Sequence, residues 1–284
     1  MRILMIGATG MLGRPVARQL VEAGFQVRAM VRDMDRARAL LPQACERVRG
    51  DLRETDSVRR ALEGVDAAYL NLSEPIKEGR WNPELEGSKL IASLAKTAGL
   101  SRIARISAMG VEEGAGEWWV ARDKAEADRA FIDSGVPYTI FRPDWFCESL
   151  ALMRVGPLYV QPMTPRLPLH WIAGDDYGRQ VVAALHTEKA ANRIYIVQGP
   201  EGVTMQDAAR RYRRAMGWRT ITVPLPMSVL RVCGRFVPMA RFLHDLLELT
   251  YTHTIGLRAE ATWTDLGRPA MTIEDHAASR RKRE

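Results

Sequence analysis

MRILMIGATGMLGR, residues 1–14, is the segment that decides the fold of this chain. Residues 3–6 form a short apolar run that stops at a glycine, which is typical of a buried parallel strand. A turn with glycines at Gly7, Gly10 and Gly13 follows, and the next apolar residues recur at helical spacing. Because the free amides at the start of such a helix favour a phosphate, we expect a dinucleotide pyrophosphate here. A strand-to-helix turn without a ligand is the alternative.

The end of the second predicted strand, residues 25–31, selects the form of the cofactor. Arg32 follows this strand directly and Arg36 comes one helical turn later, whereas Asp33 has the position of a helix N-cap. A guanidinium matches a phosphate in charge and geometry, while a free carboxylate at this junction would bind the ribose hydroxyls of NAD(H). We therefore predict NADP(H) as the preferred cofactor. NAD(H) is the alternative if both arginines are ordinary surface residues.

Two further strands predict an α/β fold with a doubly wound parallel sheet, a Rossmann fold. Residues 47–52 form a short third strand, and the apolar residues 67–72 form a fourth that is buried on both faces. In such sheets, ligands bind beyond the carboxyl ends of the strands, where the strand order reverses. Asn71, Leu72 and Ser73 are therefore expected to line the ribose on the nicotinamide side.

The charge of the chain is unevenly distributed. Residues 1–150 hold 22 basic and 22 acidic side chains, whereas residues 151–284 hold 19 and 12. Four basic residues lie in the run 280–283, which we interpret as a solvated end rather than a site for nucleic acid or anionic lipid. We predict no specific nucleic-acid partner and no membrane span, because arginines interrupt the longest apolar region.

The cysteines and histidines predict neither a disulfide framework nor a metal site. The three cysteines are widely separated without a C-x-x-C pair, and the five histidines lack H-x-x-x-H spacing. The glycine turn begins at Gly7, which leaves no room for a targeting peptide ahead of the first strand. We therefore expect a cytoplasmic protein.

The sequence GATGMLG resembles the fingerprint of the atypical short-chain dehydrogenases, in particular of their NmrA-like branch. The resemblance covers nearly the whole chain, through the motifs VRD, GDL, KAEA and SGVPYTIFRP. It implies one compact unit, with a dinucleotide-binding Rossmann domain over residues 1–150. A smaller, mostly helical substrate lobe over residues 151–284 is interleaved with the last strands of the sheet. The cofactor-binding residues implied in the first turn are Gly7, Thr9, Gly10, Met11, Leu12 and Gly13.

The resemblance also carries over cofactor contacts outside the first turn. Asp51 and Leu52 match the motif that lies beside the adenine, although Asp51 has a second interpretation as the N-cap of the helix that follows. Arg142 and Pro143 match the segment that passes the carboxamide end of the nicotinamide. We predict all four as cofactor-binding residues.

The catalytic motif departs from the family pattern. Ser107 stands where short-chain dehydrogenases place the serine that binds the substrate carbonyl, and Lys124 stands at the lysine of Y-x-x-x-K. In that motif the ammonium lowers the pKa of the phenol, which donates a proton as hydride arrives. The tyrosine position holds Val120, so the usual acid is absent. We predict Ser107 and Lys124 as cofactor contacts and as candidate catalytic residues.

Two functions stay open at this point. The first is an oxidoreductase that transfers hydride from NADPH to a small quinone-like or carbonyl acceptor, with help from Lys124. The second is a non-catalytic NADP redox sensor that acts through a protein partner. The apolar second half of the chain, which implies a pocket for a small-molecule substrate, favours the first, whereas Val120 favours the second.

Several aromatic and apolar segments are candidates for the substrate side. Trp118 and Trp119 precede Lys124, on a helix predicted from Glu117, and at adjacent positions only one of them can face the ligand. A helix predicted from Asp144 offers further residues to a substrate, with ordinary packing as the alternative. Those residues are Trp145, Phe146 and Ser149.

The last hundred residues hold less regular patterns. Thr204 is predicted to cap a helix that runs through Met216. The proline-interrupted region 223–255 predicts either a lid over the substrate cleft or the surface of a homodimer, with a membrane-surface role as the less favoured alternative. Its expected anchors are Leu230, Val232, Phe236, Phe242, Leu243, Leu246 and Leu247.

Overall fold

The computed structural model describes residues 1–111, 118–253 and 256–282. Three predictions reach outside these residues: the start of a helix at Glu117, the last two residues of the apolar region 223–255, and the last arginine of the basic run, Arg283.

Seven parallel strands form the central sheet. Their bounds are β1 Arg2–Ile6, β2 Gln26–Val31, β3 Glu46–Arg49, β4 Ala67–Leu70, β5 Arg102–Ile106, β6 Tyr138–Pro143 and, late in the chain, β10 Arg193–Val197. Across the sheet the order is β10-β6-β5-β4-β1-β2-β3. The order reverses between β1 and β4, which opens a crevice at the carboxyl ends of these two strands. The predicted doubly wound fold is confirmed.

Helices cover both faces of the sheet. On one face lie α1 Gly13–Glu22, α2 Met34–Leu40, α6 Gly174–His186 and α10 Glu260–Leu266, and on the other α3 Thr55–Leu62, α4 Pro83–Ala95 and α5 Trp119–Ile132. Alternate residues of β1 supply the two cores: Ile3 and Met5 pack under α1, and Leu4 and Ile6 pack under α3 and α4. Burial on both faces explains why this strand is apolar throughout.

A smaller lobe is built on the carboxyl side of the sheet. Its elements are β7 Arg154–Val155, β8 Leu158–Met163, β9 Leu169–His170, β11 Gly202–Val203, α7 Met205–Met216, β12 Ile221–Pro226, α8 Met227–Cys233, α9 Pro238–His253 and α11 Ile273–Arg281. The lobe has a core of its own, in which Trp171, Tyr159 and Tyr212 are almost fully buried. The chain alternates between the two parts, because α6, β10 and α10 return to the main sheet.

Several local predictions hold and others need correction. Asp33 caps α2 by accepting a hydrogen bond from the Arg36 amide at 2.9 Å, and Thr204 caps α7 by accepting one from the Asp207 amide at 3.2 Å. The N-cap of α3 is Glu54 rather than Asp51, so the alternative role for Asp51 is wrong.

Two longer predictions also differ from the structure. The helix predicted from Asp144 is a 3₁₀ helix over Cys147–Met153, because Phe146 first pairs with Ile172 as an isolated bridge. Within the apolar region 223–255, Leu230 and Leu247 are buried as expected, whereas Val232 is 55% exposed and Phe236 is 85% exposed, so the prediction of these two as buried anchors is wrong.

Candidate active site

The glycine turn joins β1 to α1 under tight packing. Gly7 has a φ of +84°, and a β-carbon on it would lie 1.9 Å from the carbonyl oxygen of Asn71. A β-carbon on Gly13 would lie 2.1 Å from the carbonyl oxygen of Gly7. Both positions therefore require glycine, and the turn rests directly on the end of β4 at the switch point.

The middle of the turn is open. A β-carbon on Gly10 would meet only the carbonyl oxygen of Gly7, at 3.2 Å, and would otherwise fill space beside the cleft. Within the described chain, the Met11 and Leu12 amides have no hydrogen-bond acceptor, and no acidic residue lies in the first turn of α1. This arrangement suits an anion at the helix N-terminus. Thr9 is half-buried in the same turn.

The adenine side of the predicted site is exposed. Arg32 and Arg36 project into solvent after β2, and neither side chain has an ion-pair partner among the residues described. Asp51 is half-buried after β3 and accepts a hydrogen bond from the Arg53 amide at 3.0 Å. Leu52 packs towards Gly87 of α4, where a β-carbon would lie 2.7 Å from it.

A cleft of about 440 Å³ lies on the nicotinamide side, above the carboxyl ends of β1, β4 and β5. Its lining is mostly apolar, and Val120, at the position of the missing tyrosine, is part of it. The residues that were predicted for the site and that line this cleft are Gly10, Met11, Leu12, Asn71, Leu72, Ser73, Ser107, Lys124, Pro143, Trp145, Phe146 and Ser149. The same cleft is closed from the other side by Leu246, Leu249 and Thr250 of α9.

The two adjacent tryptophans have different environments. Trp118 lines the cleft and meets Phe242 of α9 edge-to-face, with ring centroids 5.4 Å apart. Trp119 lies in a separate surface groove beside Phe236. Trp118 is therefore the tryptophan that faces a ligand in the cleft.

Lys124 is held by two glutamates. Its Nζ lies 2.7 and 2.6 Å from the two carboxylate oxygens of Glu84 and 3.2 Å from Glu74 Oε2. Glu84 lies in the first turn of helix α4, where its amide donates to the Asn82 cap, and Glu74 follows β4 in the loop that lines the cleft. Neither glutamate was predicted from the sequence, because even Glu84, the nearer of the two to Lys124 in the chain, is forty residues away from it.

A third carboxylate, that of Asp128, lies on the same helix as Lys124 and is almost fully buried. It accepts hydrogen bonds from Ser107 Oγ at 3.0 Å, from Arg105 and from both Nε and Nη2 of Arg142, at 3.2 and 3.1 Å. Arg105 also donates to Glu84 at 2.8 Å, so the two carboxylate clusters are joined. Ser107 still borders the cleft, whereas the Arg142 guanidinium is turned towards Asp128 and away from it.

The pKa values of the two glutamates are shifted in opposite directions. Burial is the largest influence on Glu84 and raises its pKa to about 8, against the attraction of Lys124 and Arg105. Burial also acts on Glu74, but the Lys124 ammonium and a hydrogen bond from Glu84 outweigh it and lower the pKa to about 2. The two carboxyl groups also interact with each other, which helps to lower the pKa of Glu74 and to raise the pKa of Glu84. The Lys124 pKa is raised, because the attraction of both glutamates exceeds the effect of its own burial.

Asp144 is a further acidic residue in the cleft that sequence reasoning missed. Burial raises its pKa to about 6, although the His170 amide and the Gln198 side chain donate to its Oδ2. Its other oxygen, Oδ1, is buried and has no hydrogen-bond partner in the described part of the chain. The sequence signal was present, since Asp144 directly follows the Arg142-Pro143 junction.

The residues around the crevice fit a nicotinamide dinucleotide. The open amides and the bare Gly10 offer room and donors for a pyrophosphate. At the other end of the turn, the buried Nδ2 of Asn71 has no hydrogen-bond acceptor among the residues described, and Asn71 lines the cleft. Donors without protein partners at both positions are consistent with a ligand that has phosphate and hydroxyl oxygens.

Comparison with known proteins identifies the family. Residues 7–151 match the family model described as NAD(P)H-binding. The chain belongs to this family. The NmrA-like resemblance is thereby confirmed, and NAD(P)H is the cofactor class.

Curated relatives cover almost the whole chain. A (4-alkanoyl-5-oxo-2,5-dihydrofuran-3-yl)methyl phosphate reductase from Streptomyces griseus is 32% identical over 97% of this chain and 96% of its own length. An NAD(P)H azoreductase from Xenophilus azovorans is 26% identical over 97% and 96%. A relative of another kind, the photosystem II assembly factor Ycf39 of Cyanophora paradoxa, is 25% identical over 82% of this chain and 74% of its own length.

A solved structure has the same fold. An NADPH-dependent quinone oxidoreductase from Escherichia coli, in complex with NADPH, superposes with a TM-score of 0.77 at 20% identity, over 98% of this chain and 99% of the other. The chain is thus an NAD(P)-binding Rossmann protein of an oxidoreductase family.

Other predictions concern groups outside the cleft. Cys45 and Cys147 are buried free thiols, and Cys233 is an exposed one. Among the described residues, one cluster could offer a metal three donors, His244, Asp245 and Glu248 of α9. No helix in the described chain combines the length and apolar character that crossing a membrane requires.

Proposed function

We propose that the protein is an NADPH-dependent reductase of a small, planar, apolar acceptor. The observation that carries this proposal is the cleft itself: it lies at the switch point, is lined mainly by apolar side chains, and holds one cationic group, Lys124, at its wall. Trp118 and Trp145 offer flat surfaces to a ring-shaped acceptor. When bound, NADPH supplies the hydride.

Lys124 is the proposed proton donor. Hydride transfer to a quinone-like or carbonyl acceptor places negative charge on oxygen or nitrogen, and an ammonium at the cleft wall stabilises that charge and protonates it. Val120 can do neither, so the role of the tyrosine passes to Lys124. Ser107 donates to Asp128, and we propose that it acts by keeping Asp128 and the strand end in place.

Arg32 and Arg36 are the proposed determinants of the preference for NADPH over NADH. Both lie at the end of β2, where the adenosine ribose of a Rossmann-bound nucleotide is located, and Asp33 is occupied as a helix cap. A free guanidinium pair matches the additional phosphate. The remaining predicted contacts, among them Asp51, Leu52 and Pro143, belong to the same proposed site.

The first experiment is a titration with NADPH, followed by rapid mixing of the complex with quinones, azo compounds and enones. We expect oxidation of the nucleotide to saturate in at least one acceptor class and to fall about 100-fold in Lys124→Ala. Lys89→Ala is the matched control, since Lys89 forms a surface pair with Glu126 away from the cleft. Equal rates in both variants would refute the role of Lys124.

A sensor function is the second candidate. It is favoured by Val120 and by the similarity to an assembly factor. Tight NADPH binding without oxidation by any acceptor would replace the reductase proposal by this one. The partner would then be a protein, sought by comparing complexes formed with NADPH and with NADP⁺.

We also propose a cytoplasmic location and a homodimer. The three free cysteines support a reducing compartment. The exposed Val232 and Phe236 support self-association through α8 and α9. Light scattering of Phe236→Ser against the unsubstituted protein tests the dimer, and a monomer in both would refute it.

A further inference from the structure

Glu74 and Glu84 form a pair of carboxyl groups that both contact Lys124. Glu84 is buried and touches Lys124 with both oxygens, whereas Glu74 lines the cleft and touches both Glu84 and Lys124. A continuous path of hydrogen-bonding groups therefore runs from the cleft through Glu74 to Glu84 and back to the ammonium.

We propose that the Glu74–Glu84 pair stores the proton that recharges Lys124 in each catalytic cycle. This inference rests on the proposed reductase function. Lys124, Glu74 and Glu84 together take the role of the missing tyrosine. Asp128 is the acceptor of Arg105 and Arg142, so the two glutamates are the carboxyl partners of Lys124.

The proton balance of the proposed cycle is simple. The acceptor gains a hydride from the nucleotide and a proton from the Lys124 ammonium, so one N–H bond breaks and Lys124 is left as an amine. The carboxylic acid of the pair then gives up its proton, which re-forms that N–H bond and leaves both glutamates ionised. After the product leaves, a proton from solvent returns to the pair through Glu74 at the cleft.

The surroundings of the pair favour one stored proton. Two carboxylates in contact and out of water repel each other, which favours retention of a proton. The charged groups that face the pair are Arg105 from β5 and Lys124 from α5. Burial raises the pKa of Glu84 to about 8, so the stored proton is present at neutral pH.

The first test needs neither nucleotide nor acceptor. Infrared difference spectra of the nucleotide-free protein, recorded across pH 6 to about 9, report the carbonyl band of a protonated carboxylic acid. We expect this band in the unsubstituted protein and in the control Glu126→Gln, with loss as the pH rises through about 8. The component of the band that titrates near pH 8 should be absent in Glu84→Gln and altered in Glu74→Gln, whereas Asp144 and Glu148, whose pKa values burial raises to about 6 and about 7, contribute components that titrate at lower pH in every variant. No band in the unsubstituted protein at pH 7 would overturn the proposal, whatever the protein reduces.

The second test separates storage from a structural role. In Glu74→Gln and Glu84→Gln, Lys124 still holds one proton, so the first turnover should keep nearly its ordinary rate. Later turnovers should slow on the order of 100-fold, which produces a burst of one equivalent of product per site. If the first and later turnovers slow by the same factor, the glutamates only position Lys124 and the proposal is wrong.

Asp144→Asn completes the test, because Asp144 is the other acid at the cleft. If this variant alone shows the burst, and the glutamate variants do not, the stored proton belongs to Asp144 and the proposal is overturned. A burst in the glutamate variants alone supports it.

Discussion

Positively charged side chains have opposite surroundings at the two ends of the crevice. On the adenine side, Arg32 and Arg36 lie in solvent, and the described residues offer them no carboxylate. On the nicotinamide side, Arg105 is buried and Lys124 is half-buried, and each contacts two carboxyl groups. Exposed cations are available to a ligand that arrives from solution, whereas buried cations are already neutralised and act on protons and on the fold.

The largest effect expected from this comparison is on the stability of the buried side. Asp128→Ala leaves Arg105 and Arg142 in the interior without their shared acceptor, and we expect the free energy of unfolding to fall by about 3–5 kcal/mol. Glu126→Ala, on the same helix, removes a surface pair with Lys89 and should cost less than about 1 kcal/mol. Urea unfolding of both variants measures the difference, and equal losses would remove the distinction between the two ends.

A smaller effect is expected on the exposed side, and on binding alone. Arg32→Ala should weaken NADPH binding by about 10- to 100-fold, since a hydrogen bond between charged groups contributes roughly 1.5–3 kcal/mol. NADH binding and stability should hardly change. Arg38→Ala, which removes a surface pair with Asp35, serves as the control. Calorimetric titration measures both nucleotides, and an equal loss of NADPH and NADH would contradict a phosphate role for Arg32.

An effect of a different kind is expected on the pH dependence of stability. The pKa of Glu84 rises from 4.5 to about 8 on folding, so the folded protein holds a proton that the unfolded chain has released. The contribution of Glu84 is therefore complete below about pH 4.5 and declines as the pH rises to about 8, by at most about 1.4 kcal/mol per pH unit. Glu84→Gln should flatten this decline.

Glu74 should change stability with pH in the opposite direction to Glu84. Its pKa is lowered to about 2, so its contribution is complete above pH 4.5 and is lost only as the pH falls towards 2. Glu74→Gln should therefore change the acid limb of the stability curve. Thermal unfolding from pH 3 to 9 measures both limbs of the stability curve. If Glu84→Gln leaves the slope of stability against pH unchanged above pH 5, the Glu84 carboxyl group is ionised in the folded protein.

Local patterns accounted for much of the fold. The glycine turn, the Asp33 and Thr204 caps and the apolar strands depend on neighbours a few residues away, so the sequence alone revealed them. The helix predicted from Asp144 failed because Phe146 pairs with Ile172, a contact between distant segments. Similarly, Phe236 has the apolar character of an anchor but lies on the outer side of the lobe.

The sequence by itself determined the Rossmann fold, the cofactor class and the absence of a tyrosine at Val120, because each depends on residue types at short, regular spacings. Only the tertiary structure decided what surrounds Lys124. Glu74, Glu84 and Asp128 come from a loop and two helices that meet where β4 and β5 end, and burial and neighbouring charges there shift the pKa values of Glu74 and Glu84. Such shifts arise from desolvation and from charges far apart in the chain, which no local spacing records.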